Sequence, residues 1–233
     1  MTAHEAGHAH THHAEEPAAP PRVLLFYDYT CPFCYVDEHR FDRLRAERPD
    51  VEFVLVPFEL RPDMPEEGYP VSELEAGGQS DRVHEHLLRI AERENIPLVI
   101  PPFLPKTHKA HVLAEMARDR GPQAHDSMHR ALFSAYFARG EDIGAGEVLL
   151  DIARTEGLDE ADVRRAWDEG TYDERLHQFR HVAMGLGLDA TPAALICNEL
   201  VIGSRPYEVL RDSLDRCLVH REALAEDTEP GPA

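Results

Sequence analysis

The segment YDYTCPFCYVDE, residues 27–38, places Cys31 and Cys34 two residues apart directly after an apolar run. The run itself, RVLLFYDY at 22–29, has the length and composition of a buried strand. After Cys31, large apolar residues recur at near-helical spacing, at Phe33, Val36, Phe41 and Leu44. The cysteines therefore lie where a strand gives way to a helix, and a pair at this spacing binds metal, exchanges disulfides or stays reduced and inert.

The rest of the chain extends this start into an α/β pattern. VEFVLVPFEL at 51–60 is a second apolar strand, AALICNELVIGS at 193–204 has the pattern of a hairpin, and RPYEVLRDSLDRCLVH at 205–220 that of a closing amphipathic helix. Between them, residues 78–186 carry helical patterning, and we expect no strand there. We predict one sheet from residues 23–28, 51–57, 194–198 and 200–203, with the helical block packed over the active-site side.

These patterns divide the chain into four parts. Residues 1–20 are a His-rich segment without periodicity, which predicts a disordered tail. We expect an α/β domain from 21–77 together with 187–222, an inserted helical domain at 78–186, and an acidic tail at 223–233.

Composition and charge exclude several kinds of partner. The 233 residues are 42% hydrophobic and 29% charged, and the formal net charge is −20, which repels phosphate backbones and argues against a nucleic-acid partner. No apolar run approaches the roughly 18 residues needed to span a membrane, and the N-terminal segment lacks the features of a secretory signal. We therefore expect a cytoplasmic protein with no membrane partner.

The CPFC motif favours redox chemistry over the other two uses. With Pro32 at the first helical position, free N–H groups of the first turn point at the Cys31 sulfur and stabilise a thiolate there. Cys34 then faces inward, so we expect Cys31 to be the more exposed attacking thiol and Cys34 the shielded resolving thiol. A metal site needs two more ligands. Cys197 and Cys217 do not form a second CxxC, and we expect both to be reduced core residues.

Several segments in the same order resemble the DsbA-like branch of the thioredoxin-fold oxidoreductases, most closely its FrnE-like members. The resemblance covers about 22–219 and is carried by DYTCPFCY, PFELRPDMPEEG, KTHKAHVLAEMA, LFSAYFARGEDIGAGEVL and LGLDATPAALICNELVIGSRPYEVL. It implies a thioredoxin fold (βαβ…ββα) interrupted by a helical insertion. The activity it implies is thiol–disulfide exchange with protein or small-molecule thiols, with isomerisation as an extension of it. The reducing partner is unknown, and no cofactor or metal is implied.

The resemblance also implies roles for individual residues. Cys31 is similar to the family's nucleophile and Cys34 to its resolving thiol. Pro32 and Phe33 belong to the active-site loop. Pro192 matches the cis-proline that faces the sulfurs, with Thr191 before it.

The chain departs from its relatives at positions close to the cysteines. Pro-Phe stands between them where FrnE-like members usually have Pro-Trp, and Thr191 stands where valine is more usual. A buried acid found in the first strand of several relatives is absent, because that position is Leu25. Asp28 is the nearest carboxylate and is a candidate proton relay to Cys34, although a turn-forming role is an equal alternative.

Two other functions remain open at this point. Kappa-type glutathione transferases and related isomerases share this fold, with serine in place of the motif cysteines, so the two cysteines favour the oxidoreductase. A metal-binding module built on the N-terminal histidines is the third hypothesis. Two further histidine pairs, His125/His129 and His177/His181, have the helical spacing that lets them share a metal, although surface pairs are common in a chain with 15 histidines.

Overall fold

The computed structural model describes residues 20–74 and 79–228, and its centre is a four-stranded mixed sheet. Its strands are β1 (Arg22–Tyr27), β2 (Glu52–Pro57), β5 (Ala193–Ile196) and β6 (Glu199–Ile202). The numbers β3 and β4 belong to two short strands outside this sheet, which are described below. The four strands of the sheet lie in the order β2-β1-β5-β6. The prediction that these four segments share one sheet is confirmed.

Strand β1 lies inside the sheet, between β2 from the N-terminal part of the chain and β5 from the C-terminal part. Leu25 lies opposite Leu55 in the parallel pair with β2 and opposite Ala194 in the antiparallel pair with β5. The parallel pairing needs a crossover, which helix α1 (Pro32–Glu47) supplies. The mixed α/β architecture is that of a thioredoxin fold with a helical insertion, as expected.

Within the described residues, eight further α-helices follow α1, and most occupy the block between the two halves of the sheet. They are α2 (Val71–Leu74), α3 (Gln79–Glu94), α4 (His108–Arg118), α5 (Pro122–Phe133), α6 (Gly146–Thr155), α7 (Glu160–Glu169), α8 (Asp173–Gly185) and α9 (Tyr207–Thr228). A π-helical segment, Ser134–Ala138, continues α5. No helix of the described ranges is long and apolar enough to cross a membrane.

The helical block is not free of strands, and that prediction is wrong. β3 (Tyr69–Pro70) pairs with β4 (Phe103–Leu104) in a separate two-stranded antiparallel sheet. Each strand is only two residues long and lies in a proline-rich connection, so neither has a period-2 pattern to detect. The pairing joins two loops that are distant in sequence, so the local pattern of apolar and polar residues does not predict it.

The inserted helices and the sheet share one hydrophobic core. A single cluster of buried side chains includes Val23 of β1, Leu113 of α4, Phe133 of α5 and Leu214 of α9. This continuity brings α4, α5 and the π-helical segment over the carboxyl end of β1, where the CPFC motif follows. The division into two domains stays a prediction.

Candidate active site

The Cys31 sulfur sits at the amino end of α1, where the chain turns from strand to helix. Cys31 is the N-cap residue, and its sulfur accepts a hydrogen bond from the backbone N–H of Cys34 at 3.3 Å. Its own N–H donates to the Asp28 carbonyl at 3.0 Å, which closes the turn. Pro32 occupies the first turn, where its missing N–H costs nothing. The sulfur therefore faces helix-end donors, as the sequence predicts.

The two thiols do not differ in exposure in the way we expected. Cys31 is 5% exposed and Cys34 is 4% exposed, and both are free thiols. The Thr191 loop covers Cys31, whose Sγ donates to the Thr191 carbonyl oxygen at 3.4 Å. The predicted contrast in exposure is wrong because sequence spacing within one helix says nothing about what a distant loop covers.

The thiols differ instead in the cavities that they border. Cys31 lines a groove of about 280 Å³, whereas Cys34 lines an internal cavity of about 20 Å³ whose lining residues are all buried. The groove is mainly apolar, with side chains from the connections and from the π-helical segment. Its lining residues include Leu60, Val71, Ile100, Leu104, Tyr136 and Phe137. Access from outside the protein therefore leads to Cys31.

The Thr191–Pro192 peptide bond is cis, as the resemblance implies. The Pro192 carbonyl accepts the N–H of Gly203 at 2.8 Å, which ties the loop to the far end of β6. Pro192 also borders the small cavity beside Cys34. The loop thus contacts the Cys31 sulfur through the Thr191 carbonyl, and Pro192 lines the cavity beside Cys34. Phe33, the other residue of the motif, is half-buried and packs against the main core.

The charge state of Cys34 is set by its surroundings. Burial raises the pKa of this thiol well above its ordinary value, and the neighbouring Cys31 sulfur raises it further. The Thr191 side chain acts in the opposite direction. Resolution of a mixed disulfide by Cys34 therefore requires a group that accepts its proton.

Asp28 has a carboxylate that is already surrounded by donors. One oxygen accepts the N–H and the hydroxyl of Thr30, each at 2.8 Å. The other accepts the N–H of Leu60 at 2.6 Å and the hydroxyl of Thr107 at 3.4 Å. These bonds fasten the strand-to-helix turn to the end of β2 and to the start of α4. They favour the turn-forming role of Asp28, and its relay role stays a prediction.

A buried glutamate–histidine pair, which the sequence analysis did not identify, borders the same small cavity as Cys34. Glu38 follows Cys34 by four residues and so lies on the same face of α1. Its Oε2 lies 3.2 Å from Nε2 of His129, which α5 supplies from the inserted helices. Burial alone would raise the pKa of Glu38, but the charge and hydrogen bond of His129, with those of Arg45, hold that pKa well below its usual range.

The pair continues into a chain of buried hydroxyl groups. Nδ1 of His129 lies 3.2 Å from the Tyr29 hydroxyl, which lies 3.4 Å from the Tyr27 hydroxyl. The helical spacing between Cys34 and Glu38 is visible in the sequence, but the spacing between His125 and His129 indicated either a shared metal or, more commonly, an ordinary pair of surface histidines. Both histidines are buried. Tertiary contact with α1 gives His129 a different partner. In the described parts of the chain, no three His, Cys, Asp or Glu side chains are placed to hold a metal.

The remaining two cysteines are joined by a disulfide, so the expectation that they are reduced is wrong. Cys197 lies in the turn after β5 and Cys217 lies halfway along α9, with their Cα atoms 6.2 Å apart. They are 20 positions apart in the sequence. Their proximity arises when α9 packs against the hairpin, and neither residue's local pattern records that packing.

Comparison with known proteins gives matches over most of the chain. A family model described as a DSBA-like thioredoxin domain matches residues 22–215. Among curated proteins, the uncharacterized protein YwbO of Bacillus subtilis (strain 168) is 26% identical over 195 residues, which cover 82% of this chain and 94% of YwbO.

Solved structures share the fold at lower identity. A probable DsbA oxidoreductase from Streptomyces coelicolor superposes with a TM-score of 0.77 at 24% identity, covering 91% of this chain and 92% of that one. A 2-hydroxychromene-2-carboxylate isomerase superposes with a TM-score of 0.71 at 16% identity, covering 87% of this chain and 98% of that one. Since both identities are low, these likenesses show a common fold and leave the chemistry to the residues of the site.

Proposed function

Because the chain belongs to the DSBA-like thioredoxin domain family, whose members are thiol–disulfide oxidoreductases, we propose that it exchanges disulfides with protein thiols through the CPFC dithiol. One observation carries the proposal. The Cys31 sulfur lies at a helix amino terminus, within hydrogen-bonding distance of the Thr191 carbonyl, and at the wall of a groove. The sulfur there faces the backbone donors of a helix start and opens onto a groove that a substrate can enter.

The reaction proceeds in two exchange steps. The Cys31 thiolate attacks one sulfur of a substrate disulfide, forms a mixed disulfide and releases the other substrate sulfur as a thiolate. The Cys34 thiolate then attacks Cys31 Sγ, which forms the Cys31–Cys34 disulfide and releases the second substrate thiolate. Two electrons pass from the dithiol to the substrate, and the reverse sequence oxidises a substrate dithiol.

The proton of Cys34 passes to a carboxylate of α1 that borders the same cavity. Asp37 is the stronger base there, because burial raises its pKa to about 7, whereas the pKa of Glu38 is held well below its usual range. The cavity of about 20 Å³ beside Cys34 has room for one water molecule, which is enough to bridge a thiol and a carboxylate. The position of the acid in the first strand of several relatives is Leu25 here, so a carboxylate of α1 takes over this task. Of the carboxylates near Cys34, Asp28 has four donors on its oxygens, whereas Asp37 and Glu38 both border the Cys34 cavity.

The groove beside Cys31 favours an extended, mainly apolar peptide segment that carries the reacting cysteine. Its lining is mostly aliphatic and aromatic, and Arg61 and His84 are the ionisable groups along it besides Cys31 and Tyr136. We expect such a segment to pair with the backbone of the Thr191 loop, in the way that an extended peptide adds to an exposed strand. Isomerisation uses the same contacts when the Cys31 thiolate attacks a wrong disulfide and is displaced by another substrate thiol.

The cytoplasmic location predicted from the sequence stays a prediction, and the direction of electron flow depends on it. In a reducing compartment a dithiol of ordinary potential stays reduced and acts as a reductant. An oxidising compartment would favour the opposite direction. Measurement of the CxxC potential against glutathione decides between them.

A glutathione-dependent isomerase or transferase is the second candidate because its fold is shared. The superposition with 2-hydroxychromene-2-carboxylate isomerase supports this alternative at the level of fold. The presence of both Cys31 and Cys34 favours disulfide exchange. The alternatives separate in a Cys34→Ser variant, which would retain glutathione conjugation or isomerisation but lose disulfide turnover. The histidines of the proposed metal-binding tail lie outside the described residues.

Trapping of the reaction intermediate tests the proposal. A Cys34→Ser variant incubated with insulin should accumulate a mixed disulfide between Cys31 and the substrate, visible on non-reducing gels and removed by dithiothreitol. Cys31→Ser should form no such species. A Cys197→Ser/Cys217→Ser variant is the matched control and should neither trap substrate nor lose turnover. If Cys31→Ser trapped substrate equally well, the assignment of the attacking thiol would be wrong.

A further inference from the structure

The Cys197–Cys217 disulfide lies at the end of the sheet opposite the CPFC motif. The N–H of Cys197 donates to the carbonyl of Arg22, the first residue of β1, at 3.3 Å, whereas Cys31 follows the last residue of that strand. Six strand residues at about 3.3 Å each separate the two ends by roughly 17–20 Å. The CPFC sulfurs therefore cannot reach this disulfide within the same molecule.

A thiol in solution can reach this bond. Cys197 and Cys217 are both half-buried and both line a groove of about 570 Å³ between the hairpin turn, α9 and the residues that precede β1. Exposed Asn198 and His220 stand at its rim, so the sulfurs are not sealed beneath the core. A molecule the size of a tripeptide thiol fits in this volume.

The charges around the groove favour an acidic thiol. Arg22, Arg216 and Arg221 line it together with His220, whereas Glu199 is the acid among the lining residues. Glu199 accepts from Ser213 at 2.7 Å and pairs with Arg216 at 3.0 Å, and Arg22 pairs with Glu52 beside the groove. The groove lining therefore holds more basic than acidic side chains, in a chain whose formal net charge is −20. It attracts anions and stabilises a thiolate formed at either cysteine.

Opening of the disulfide does not require the fold to open. The hairpin turn and α9 remain joined by the Ser213–Glu199 hydrogen bond and the Arg216–Glu199 ion pair. Beneath them, Ile196 of β5 and Leu210 and Leu214 of α9 are buried in the main core. These contacts hold the two cysteines near each other after reduction, which makes the bond able to form again.

From the position, access and charge of this pair, we propose that Cys197 and Cys217 form a second thiol–disulfide couple, independent of CPFC, that exchanges with small acidic thiols of the glutathione class. A thiolate of the small molecule attacks one protein sulfur, forms a mixed disulfide and releases the other cysteine as a thiolate. A second small thiolate then attacks the mixed disulfide, which releases the first protein sulfur and the oxidised small molecule. Two thiols thus supply the two electrons that reduce the bond, and the two protein thiolates take up protons from solvent.

A variant that retains only this pair tests the proposal. Cys31→Ala/Cys34→Ala protein, checked for folding by circular dichroism, is equilibrated in buffers of reduced and oxidised glutathione, alkylated, and analysed by mass spectrometry. We expect a reversible change between no free thiols and two, with peptide maps that assign both to Cys197 and Cys217. If the double variant does not fold, peptide mapping of the wild-type chain gives the same readout.

Two results would overturn the proposal. One is a disulfide that withstands every glutathione ratio and opens only in denaturant, which would make it purely structural. The other is a pair that stays reduced in oxidised glutathione. Neither outcome bears on CPFC, because insulin turnover by the Cys197→Ser/Cys217→Ser variant reports on the proposed function separately.

Replacement of two groove arginines tests the role of charge separately. Arg216→Gln/Arg221→Gln should slow reduction by glutathione roughly fivefold and leave reduction by uncharged β-mercaptoethanol unchanged. Arg211→Gln, an α9 arginine that does not line the groove, is the matched variant and should change neither rate. An equal loss with both thiols would refute selection by charge.

Discussion

At the carboxyl end of β1, Cys31 and Cys34 are buried beneath the inserted helices, whereas at its amino end the Cys197–Cys217 disulfide borders a groove that solvent reaches. The first pair lies within one helical turn, and backbone donors of that helix face its sulfur. The second pair is brought together by packing of a helix on a hairpin, and arginine side chains surround it. Backbone N–H groups therefore provide the polar surroundings of the cysteine sulfur at one end of β1, and side chains provide them at the other end.

This contrast has a consequence for how each pair depends on the rest of the protein. Local geometry fixes the backbone donors of the CPFC motif. The Thr191 carbonyl that contacts Cys31 and the His129 ring that contacts Glu38 come from distant segments. The groove at the other end depends on the same α9 contacts that position Cys217. Mutations that separate the two ends test whether the pairs act independently.

The largest expected difference is in turnover. Cys31→Ser should reduce insulin reduction to background, a loss of at least about 10³-fold, because the attacking thiolate is removed. Cys217→Ser should leave the rate within about twofold of wild type, since its sulfur lies at the far end of the sheet. Initial rates at equal protein concentration measure both. Comparable losses in the two variants would mean that the two ends do not act separately.

The next largest effect concerns the buried charge beside Cys34. Glu38→Gln should lower the free energy of unfolding by about 3 kcal/mol at neutral pH, because His129 and Arg45 lose a buried partner. Urea denaturation measures the change. Glu66→Gln is the matched control: Glu66 also has a lowered pKa, from hydrogen bonds with Lys106 and Lys109, but its side chain is 63% exposed, and less than about 1 kcal/mol should be lost.

The same glutamate predicts the sign of a pH dependence. The pKa of Glu38 is lower in the folded chain than its ordinary value of 4.5, so folding favours the ionised form. Its contribution is fully present above pH 4.5 and is lost as the pH falls below that value toward the folded-state pKa. Wild-type stability should therefore decline between pH 5 and pH 3 more steeply than that of Glu38→Gln. A steeper decline in the variant would contradict the assignment.

At the other end of the sheet, the disulfide should contribute to stability without contributing to turnover. Closure of a loop with 20 residues of separation stabilises by about 3 kcal/mol in the chain-entropy account. Cys197→Ser/Cys217→Ser should lose this amount in urea denaturation under oxidising conditions. With dithiothreitol present, wild type and variant should unfold at nearly the same urea concentration. Loss of insulin turnover in the folded variant would show that the two ends are coupled.

The smallest predicted effect concerns the rate at which Cys34 releases the mixed disulfide from Cys31. Thr191→Val removes a buried hydroxyl that has no hydrogen-bond partner among the described residues of the resting structure and that lowers the pKa of Cys34, so less Cys34 thiolate should form. A weak hydrogen bond to an anion of about 1 kcal/mol corresponds to a roughly fivefold slower release of the mixed disulfide. Stopped-flow measurement of that release tests it. Thr155→Val on α6, where the hydroxyl bonds to the Asp151 carbonyl, is the control and should leave the rate unchanged.

The sequence by itself determined the order of strands and helices and the position of CPFC at a helix start. These features arise from interactions between residues that are close in sequence. An apolar run such as residues 22–29 predicts a buried strand, and Cys31 followed by Pro32 predicts the start of a helix. The resemblance between extended segments added the cis bond before Pro192, which no local pattern requires.

Only the tertiary structure decided which distant groups meet. It paired Glu38 with His129, joined Cys197 to Cys217, brought β3 beside β4 and covered Cys31 with the Thr191 loop. Each of these contacts joins residues at least 20 positions apart. Their proximity depends on how whole elements pack, because the burial of apolar faces that drives packing is not directional and leaves no mark on the spacing of polar residues. The reactive motif can therefore be recognised from residues that are adjacent in sequence, whereas the groups that surround it are brought there by the tertiary structure.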